Sequence, residues 1–321
     1  MSSPCLIIAH RGASGYRPEH SREAYDLAIA QGADAIEPDV VATRDGVLVV
    51  RHENELSTTT DVASRLEFAS RYRSQIVDGV VVTGWFTEDF TWDEIASLQC
   101  TEPMPILRPV SANYVDSPVL RLADVLDIAN ESSRAVTVVI ELKHATHFAR
   151  LGHHLDQLLE RELERAGWSR EDQRLTIESF ELGVLLACRE RGIGNRRVYL
   201  LDAEGSAADQ VAEFGAEAPT YEDQRQLDNI RELSLFVDGI SIPVSLSLSA
   251  EGDSLIRRCH DLGLVVYTWT VRAENKFLPD GFRDGVDPRA FGRWEEFVDS
   301  VLATGVDGVF SDHPDLVRSR L

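Results

Sequence analysis

An α/β chain closed into a (β/α)8 TIM barrel is the fold this sequence predicts, on three observations. Eight short apolar, β-branched runs are spread along 321 residues, with amphipathic helical stretches between them. Strand alternating with helix implies a parallel sheet, and eight such units close one. The first strand is followed by Arg11-Gly12-Ala13-Ser14-Gly15, which lacks the glycine spacing of a dinucleotide-binding, doubly wound sheet.

The elements follow in order. A strand over 5–10 leads to a helix over 21–31, stopped by Gly32. The second strand, 33–41, runs into Thr43-Arg44-Asp45-Gly46 and an apolar return over 47–52. Asp-Gly between apolar runs signals a hairpin, and a two-residue turn would set His52 opposite Asp39. Residues 53–118 hold prolines, Thr58-Thr59-Thr60 and little period. They read as an insertion over the barrel mouth within one catalytic domain, 1–321. A helix over 122–131 and a strand over 136–142 restore the alternation. The remaining strands are 175–179, 197–201, 237–242, 264–270 and 308–311. The remaining helices are 147–166, 182–191, 207–214, 222–233, 253–262 and 291–304. In such a barrel the active site lies at the C-terminal ends of the strands.

Composition sets the function classes. Hydrophobic residues at 43% and charged residues at 27% are ordinary for a soluble domain. A net charge of −22 argues against nucleic acid and against stable association with an anionic membrane. A small anionic substrate remains compatible, because a bound divalent cation reverses the local field. The four cysteines show no zinc spacing and read as reduced thiols. Met1-Ser2-Ser3-Pro4 leads straight into a strand without the pattern of a signal peptide, so the expectation is cytoplasmic, with export after loss of a leader as the alternative. Oligomeric state is open.

Titratable residues gather at the predicted strand ends. Glu37 and Asp39 are two apart and share a face of an otherwise apolar strand. Two buried like charges are costly unless cations neutralise them. Either a salt bridge to Arg or Lys or a metal ion would do so. Oxygen donors without cysteine favour Mg²⁺, Ca²⁺ or Mn²⁺ over Zn²⁺. Glu141 and Lys143 repeat the spacing on the third strand, as a third metal carboxylate with a phosphate-binding cation, or as an internal ion pair. His10, with Arg11 beside it, and His52 would supply two groups that titrate near neutrality, the requirement for acid and base in phosphodiester hydrolysis. Trp269 either walls a substrate pocket or only closes the barrel. Ser179-Phe180 and Asp312 also fall at strand ends. His144, His147, His153 and His154 read as solvated surface.

These motifs resemble the glycerophosphodiester phosphodiesterase family over nearly the whole chain. The resemblance rests on His10-Arg11-Gly12, Pro18-Glu19, Gly32-Ala33-Asp34, Glu37-x-Asp39, Thr43-x-Asp45-Gly46, His52, Glu141-x-Lys143, Ser179-Phe180, Thr268-Trp269-Thr270-Val271 and Ser311-Asp312-x-Pro314. It implies a TIM barrel with a segment inserted after the second strand, and a divalent cation, Ca²⁺ or Mg²⁺, on Glu37, Asp39 and Glu141. It also implies His10 and His52 as general acid and base, and Arg11 and Lys143 on the phosphate. The implied reaction cleaves glycerophosphodiesters such as glycerophosphocholine to glycerol 3-phosphate and an alcohol. Four positions depart from the family pattern: Glu53 stands for Asp, His20-Ser21 for Asn-Thr, and Arg272 for Asn. The His20 and Arg272 variants look like the larger, often exported branch. Two alternatives are a hydrolase of lysophospholipids or related lipids and a non-catalytic phosphodiester-binding barrel. The lipid reading needs exposed apolar surface in the insertion, where Trp85, Phe86, Phe90 and Trp92 lie.

Overall fold

Apolar runs form the strands of a closed parallel barrel in a computed structural model that describes residues 5–321. The expectation for Met1-Ser2-Ser3-Pro4 lies outside the described residues. The strands are β1 (Leu6–His10), β2 (Ala35–Glu37), β3 (Asp39–Ala42), β4 (Leu48–Val50), β5 (Arg73–Val77), β6 (Val80–Gly84), β7 (Thr137–Leu142), β8 (Leu175–Ser179), β9 (Arg196–Leu200), β10 (Gly239–Pro243), β11 (Val265–Val271) and β12 (Gly308–Ser311). Eight staves close the ring, with β2 and β3 together forming one of them. Around the ring β1 pairs with β2, β2 and β3 with β7, and each later strand with its successor until β12 returns to β1, all in parallel.

The predicted second strand is divided at Pro38. Proline has no N–H to give to the ladder. The register nevertheless continues across it, from Ala35↔Thr137 to Asp39↔Glu141, and the Pro38 carbonyl still accepts the Glu141 N–H at 3.0 Å. The barrel wall is therefore unbroken where the site residues stand.

The hairpin after β3 differs from the expected two-residue turn. Ala42 pairs with Leu48 and Val40 with Val50, and the Arg51 N–H donates to the Asp39 carbonyl at 3.0 Å, so Arg51 rather than His52 stands opposite Asp39. The Thr43 hydroxyl donates to Asp45 (2.6 Å) and accepts from the Val47 N–H (3.0 Å). The Gly46 N–H donates to the Thr43 carbonyl, and Gly46 takes φ +76°. That is a type I turn followed by a left-handed glycine, which adds one residue to the loop and shifts the register by one.

Helices sheathe the barrel much as expected, with two breaks. The helix predicted over 147–166 is two, Ala145–Arg150 and Leu155–Arg165, separated where Gly152 turns to φ +86°. The helix predicted over 222–233 is likewise Tyr221–Gln224 and Leu227–Leu233. Residues 53–118 carry an antiparallel β5–β6 hairpin. Its turn, Asp78-Gly79, has φ +46° and +84°, the paired left-handed conformation of a type I′ turn. The fully buried Arg51 anchors the start of this segment by donating to the carbonyls of Val50, Thr59 and Glu19.

Inside the barrel, Ile8, Ala35, Val139, Val198, Tyr267 and Phe310 pack as an apolar layer. Side chains two residues further along a strand point the same way. The next layer is therefore His10, Glu37, Glu141, Leu200, Trp269 and Asp312, one from each of these strands. The apolar layer forms the floor of the site, and strand periodicity alone selects the residues above it.

Candidate active site

A cavity of about 430 Å³ opens above that floor, and His10, Arg11, Glu37, His52, Glu141, Lys143 and Trp269 all line it. Of the eight residues expected in the site, Asp39 alone does not line the cavity. It is fully buried on β3, paired with Glu141 in the barrel wall.

Oxygens of Glu37, Asp39 and Glu141 fall within 4.8 Å of one another, all from buried side chains. The ladder explains this: His10 pairs with Glu37, Asp39 with Glu141 and Glu141 with Glu178. Glu37 accepts the Arg11 backbone N–H at 2.6 Å, and Glu141 meets the Lys143 ammonium at 3.0 Å. Asp39 takes His20 on Oδ2 at 2.9 Å, while its buried Oδ1 has no partner. Burial, with Asp39, Glu178 and Glu141 nearby, holds the Glu37 carboxyl well above the usual range. Burial also raises Glu141, against the opposing charge of Lys143. At Asp39 the burial penalty is outweighed by the His20 hydrogen bond and the positive surroundings, Lys143 among them, and its carboxyl falls well below. Crowded carboxylates, an orphaned acceptor and an all-oxygen donor set fit a hard divalent cation.

Each predicted histidine has one ring nitrogen tied to a carboxylate. His10 Nδ1 meets Asp312 Oδ1 at 2.7 Å, and Asp312 Oδ2 accepts from Arg108 (2.6 Å) and Arg272 (2.8 Å). His52 Nδ1 meets Glu53 at 2.8 Å, and its Nε2 accepts from the Lys143 ammonium at 3.1 Å. Burial and the Arg11 charge lower His10 to about 4. Burial, then Arg11 and Lys143, lower His52 to about 3. Both rings are therefore neutral near pH 7, with an Nε2 lone pair.

The loop after β1 is bent to bring Arg11 into place. Arg11 has φ +59° and Gly12 φ +82°. A Cβ on Gly12 would lie 2.7 Å from the Ala24 carbonyl carbon, a backbone atom that cannot move aside. Gly12→Ala is expected to destabilise the fold by on the order of 2 kcal/mol or more, read as a lowered midpoint in urea unfolding. An unchanged midpoint would mean the loop adapts freely.

Several residues escaped the sequence reading. Buried His20, held at Nδ1 by Tyr25 (2.8 Å), supports Asp39; the unusual His20 in its motif was the available signal. Glu178 lines the cavity with a buried, unpartnered Oε2, and its alignment beside Glu141 was visible from strand spacing. Two histidines expected as solvated surface are paired with carboxylates instead. His147 is buried against Glu88 at 2.8 Å, and His144 lies between Asp78 and Glu53. His154 is exposed and His153 half-buried. Of the four aromatics at 85–92, Phe86 and Phe90 are fully buried.

Comparison with known proteins places the chain in a family. Residues 10–316 match the Glycerophosphoryl diester phosphodiesterase family. A glycerophosphodiester phosphodiesterase of Arabidopsis thaliana is 30% identical over 323 aligned residues, covering 95% of this chain and 82% of its own. A crystal structure from Silicibacter pomeroyi superposes with a TM-score of 0.69 at 23% identity, covering 100% of this chain and 96% of its own. A phosphodiesterase of Oleispira antarctica, solved with the product sn-glycerol-3-phosphate, gives 0.64 at 20% identity, with 98% and 96% covered. The structural likenesses carry the barrel. The family match along nearly the whole sequence carries the rest, and this chain is an enzyme of the glycerophosphoryl diester phosphodiesterase family.

Proposed function

We propose that this protein hydrolyses glycerophosphodiesters, such as glycerophosphocholine, to glycerol 3-phosphate and an alcohol. Residues 53–118 cover the barrel mouth in this reading. The observation that carries it is the convergence of two carboxylate-anchored neutral histidines lining one cavity with a cluster of three buried carboxylates, two of which, Glu37 and Glu141, line it as well. The product-bound relative from Oleispira antarctica supports the substrate class.

Arg11 and Lys143 face the cavity as fixed cations and would hold the phosphodiester's negative charge. Trp269 sets its ring edge-on to Phe180, 5.7 Å between centroids, and would form an apolar wall for the substrate. One histidine accepts a proton at Nε2 from the nucleophile as the new P–O bond forms. The other delivers a proton to the departing alkoxide as the old P–O bond breaks. Asp312 and Glu53 keep each ring turned so that Nε2 faces the reaction. Glu37, Asp39 and Glu141 would hold a Ca²⁺ or Mg²⁺ ion, which supplies Lewis-acid polarisation of a phosphoryl oxygen.

Incubation with glycerophosphocholine, with glycerol 3-phosphate measured by a coupled dehydrogenase, tests this reading. Release that requires Ca²⁺, Mg²⁺ or Mn²⁺ and stops with EDTA is expected. No release with any divalent cation would overturn it. A second reading, hydrolysis of lysophospholipids, draws on Ile76, Val80 and Val81, which stand exposed on the β5–β6 hairpin. Faster turnover of lysophosphatidylcholine than of glycerophosphocholine would favour it.

A further inference from the structure

The two histidines are anchored in different ways. Asp312, behind His10, is 2% exposed and fixed by Arg108 and Arg272. Glu53, behind His52, has a side chain 49% exposed, so packing does little to hold it. A half-exposed glutamate samples several rotamers, and only an added contact can hold the oxygen that meets His52.

That contact is His144. Its Nε2 lies 3.2 Å from Glu53 Oε2, while Glu53 Oε1 meets His52. Its Nδ1 lies 2.5 Å from Asp78 Oδ2. Asp78 is the first residue of the tight turn joining β5 to β6. His144 itself sits just past β7 with φ +54°, a conformation that turns it away from the strand and toward the hairpin. An imidazole between two carboxylates satisfies both only by donating from both nitrogens, as imidazolium. Burial opposes that charge, but the hydrogen bonds to Asp78 and Glu53 outweigh it and raise the ring to about 9.

We infer that His144, clasped by Asp78 at the tip of the β5–β6 hairpin, is a positioning residue for His52, acting through Glu53. The chain Asp78–His144–Glu53–His52 ties the seating of the hairpin to the orientation of a proton-transfer group. This inference rests on the reading of His52 as an acid or base. It adds that the hairpin is a working part of the site rather than a cover alone.

His144→Gly is the variant of choice, because glycine accepts φ +54° without strain and leaves room for a free imidazole. Its kcat on glycerophosphocholine is expected to fall about tenfold, with KM changed less than about twofold, the pattern of a misoriented group rather than lost binding. Added imidazole is expected to restore kcat. In a cycle with His52→Ala, the loss from His144→Gly should vanish in the His52→Ala background. Full kcat in His144→Gly, or an equal loss in both backgrounds, would overturn the inference. Full kcat in His52→Ala would instead overturn the assignment of His52, and the relay with it. Should His144→Gly fold poorly, Asp78→Asn at the hairpin tip takes its place in the same cycle. A loss of about threefold that depends on His52 is then expected, and its absence counts against the relay.

Discussion

Alanine at His10 or His52 is expected to lower kcat on glycerophosphocholine by about 10² or more, with the fold intact. Each ring has Nδ1 against a carboxylate, and His52 Nε2 also meets the Lys143 ammonium; on the proposed mechanism each substitution removes a proton carrier and leaves its anchor behind. The double variant should fall well short of the product of the single losses, because base and acid serve one displacement. Both groups lie below the usual histidine range in the free protein, His10 at about 4 and His52 at about 3. A neutral imidazole is ready to act as base, whereas the acid must first gain a proton. That proton comes from solvent, and the incoming phosphodiester anion favours its uptake by raising the proton affinity of a neighbouring ring. The leaving group then separates the roles. An alkoxide such as choline needs protonation as it departs, while p-nitrophenolate does not. The variant lacking the acid should therefore recover much of its rate on a p-nitrophenyl phosphodiester, and the variant lacking the base should not. Two variants with unchanged kcat would remove both residues from proton transfer.

What the sequence could reveal follows from the range of the forces involved. Strand periodicity is local, and it carried the layer of titratable residues that lines the cavity. Ile8 to His10, Ala35 to Glu37 and Val139 to Glu141 are each one pleat apart. Glu178 obeys the same rule on β8 and was legible on those terms. The hairpin register was less so. Asp45-Gly46 announced a turn, but the extra residue depends on the Thr43 side chain bonding Asp45 and Val47, a choice the apolar pattern does not encode. The β5–β6 hairpin carried a signal in Asp78-Gly79 between Ile76-Val77 and Val80-Val81. The polar residues around it masked the alternation. The clasp of His144 between two carboxylates was not legible at all. Its partner Asp78 lies 66 positions away, and Arg108 reaches Asp312 from 204 positions away. Such pairings exist only once the segment has docked, so a histidine among charged neighbours reads as solvated.

Saturating Ca²⁺, Mg²⁺ or Mn²⁺ is expected to raise the thermal midpoint by about 4 °C, and EDTA to reverse it. A ligand held by the folded state alone at about 100 times its Kd adds about 2.7 kcal/mol, and a chain of 321 residues converts that through an unfolding entropy of about 0.7 kcal/mol/K. The pH dependence has a definite sign. In the cation-free protein burial raises Glu37 and Glu141 above their unfolded values. A group raised on folding stabilises below its unfolded pKa and loses that contribution as pH rises toward the folded value. Below about 6.5 the buried histidines, lowered on folding, work the other way; above it they are neutral in both states, and the cation-free protein should weaken as pH rises toward about 8, the carboxylates repelling one another as they ionise. The cation needs them ionised, so its binding displaces protons and tightens over the same range. The gap between the two midpoints should widen with pH, and calorimetry in buffers of different ionisation enthalpy should register the released protons. Glu37→Gln separates a ligand from a merely buried acid. It removes one repelling charge, so the cation-free midpoint should hold or rise, while the shift on adding cation should shrink. A shift that survives Glu37→Gln at full size would place the cation elsewhere, and no shift with any of the three ions would return Glu37, Asp39 and Glu141 to a network of shared protons and the Lys143 ion pair.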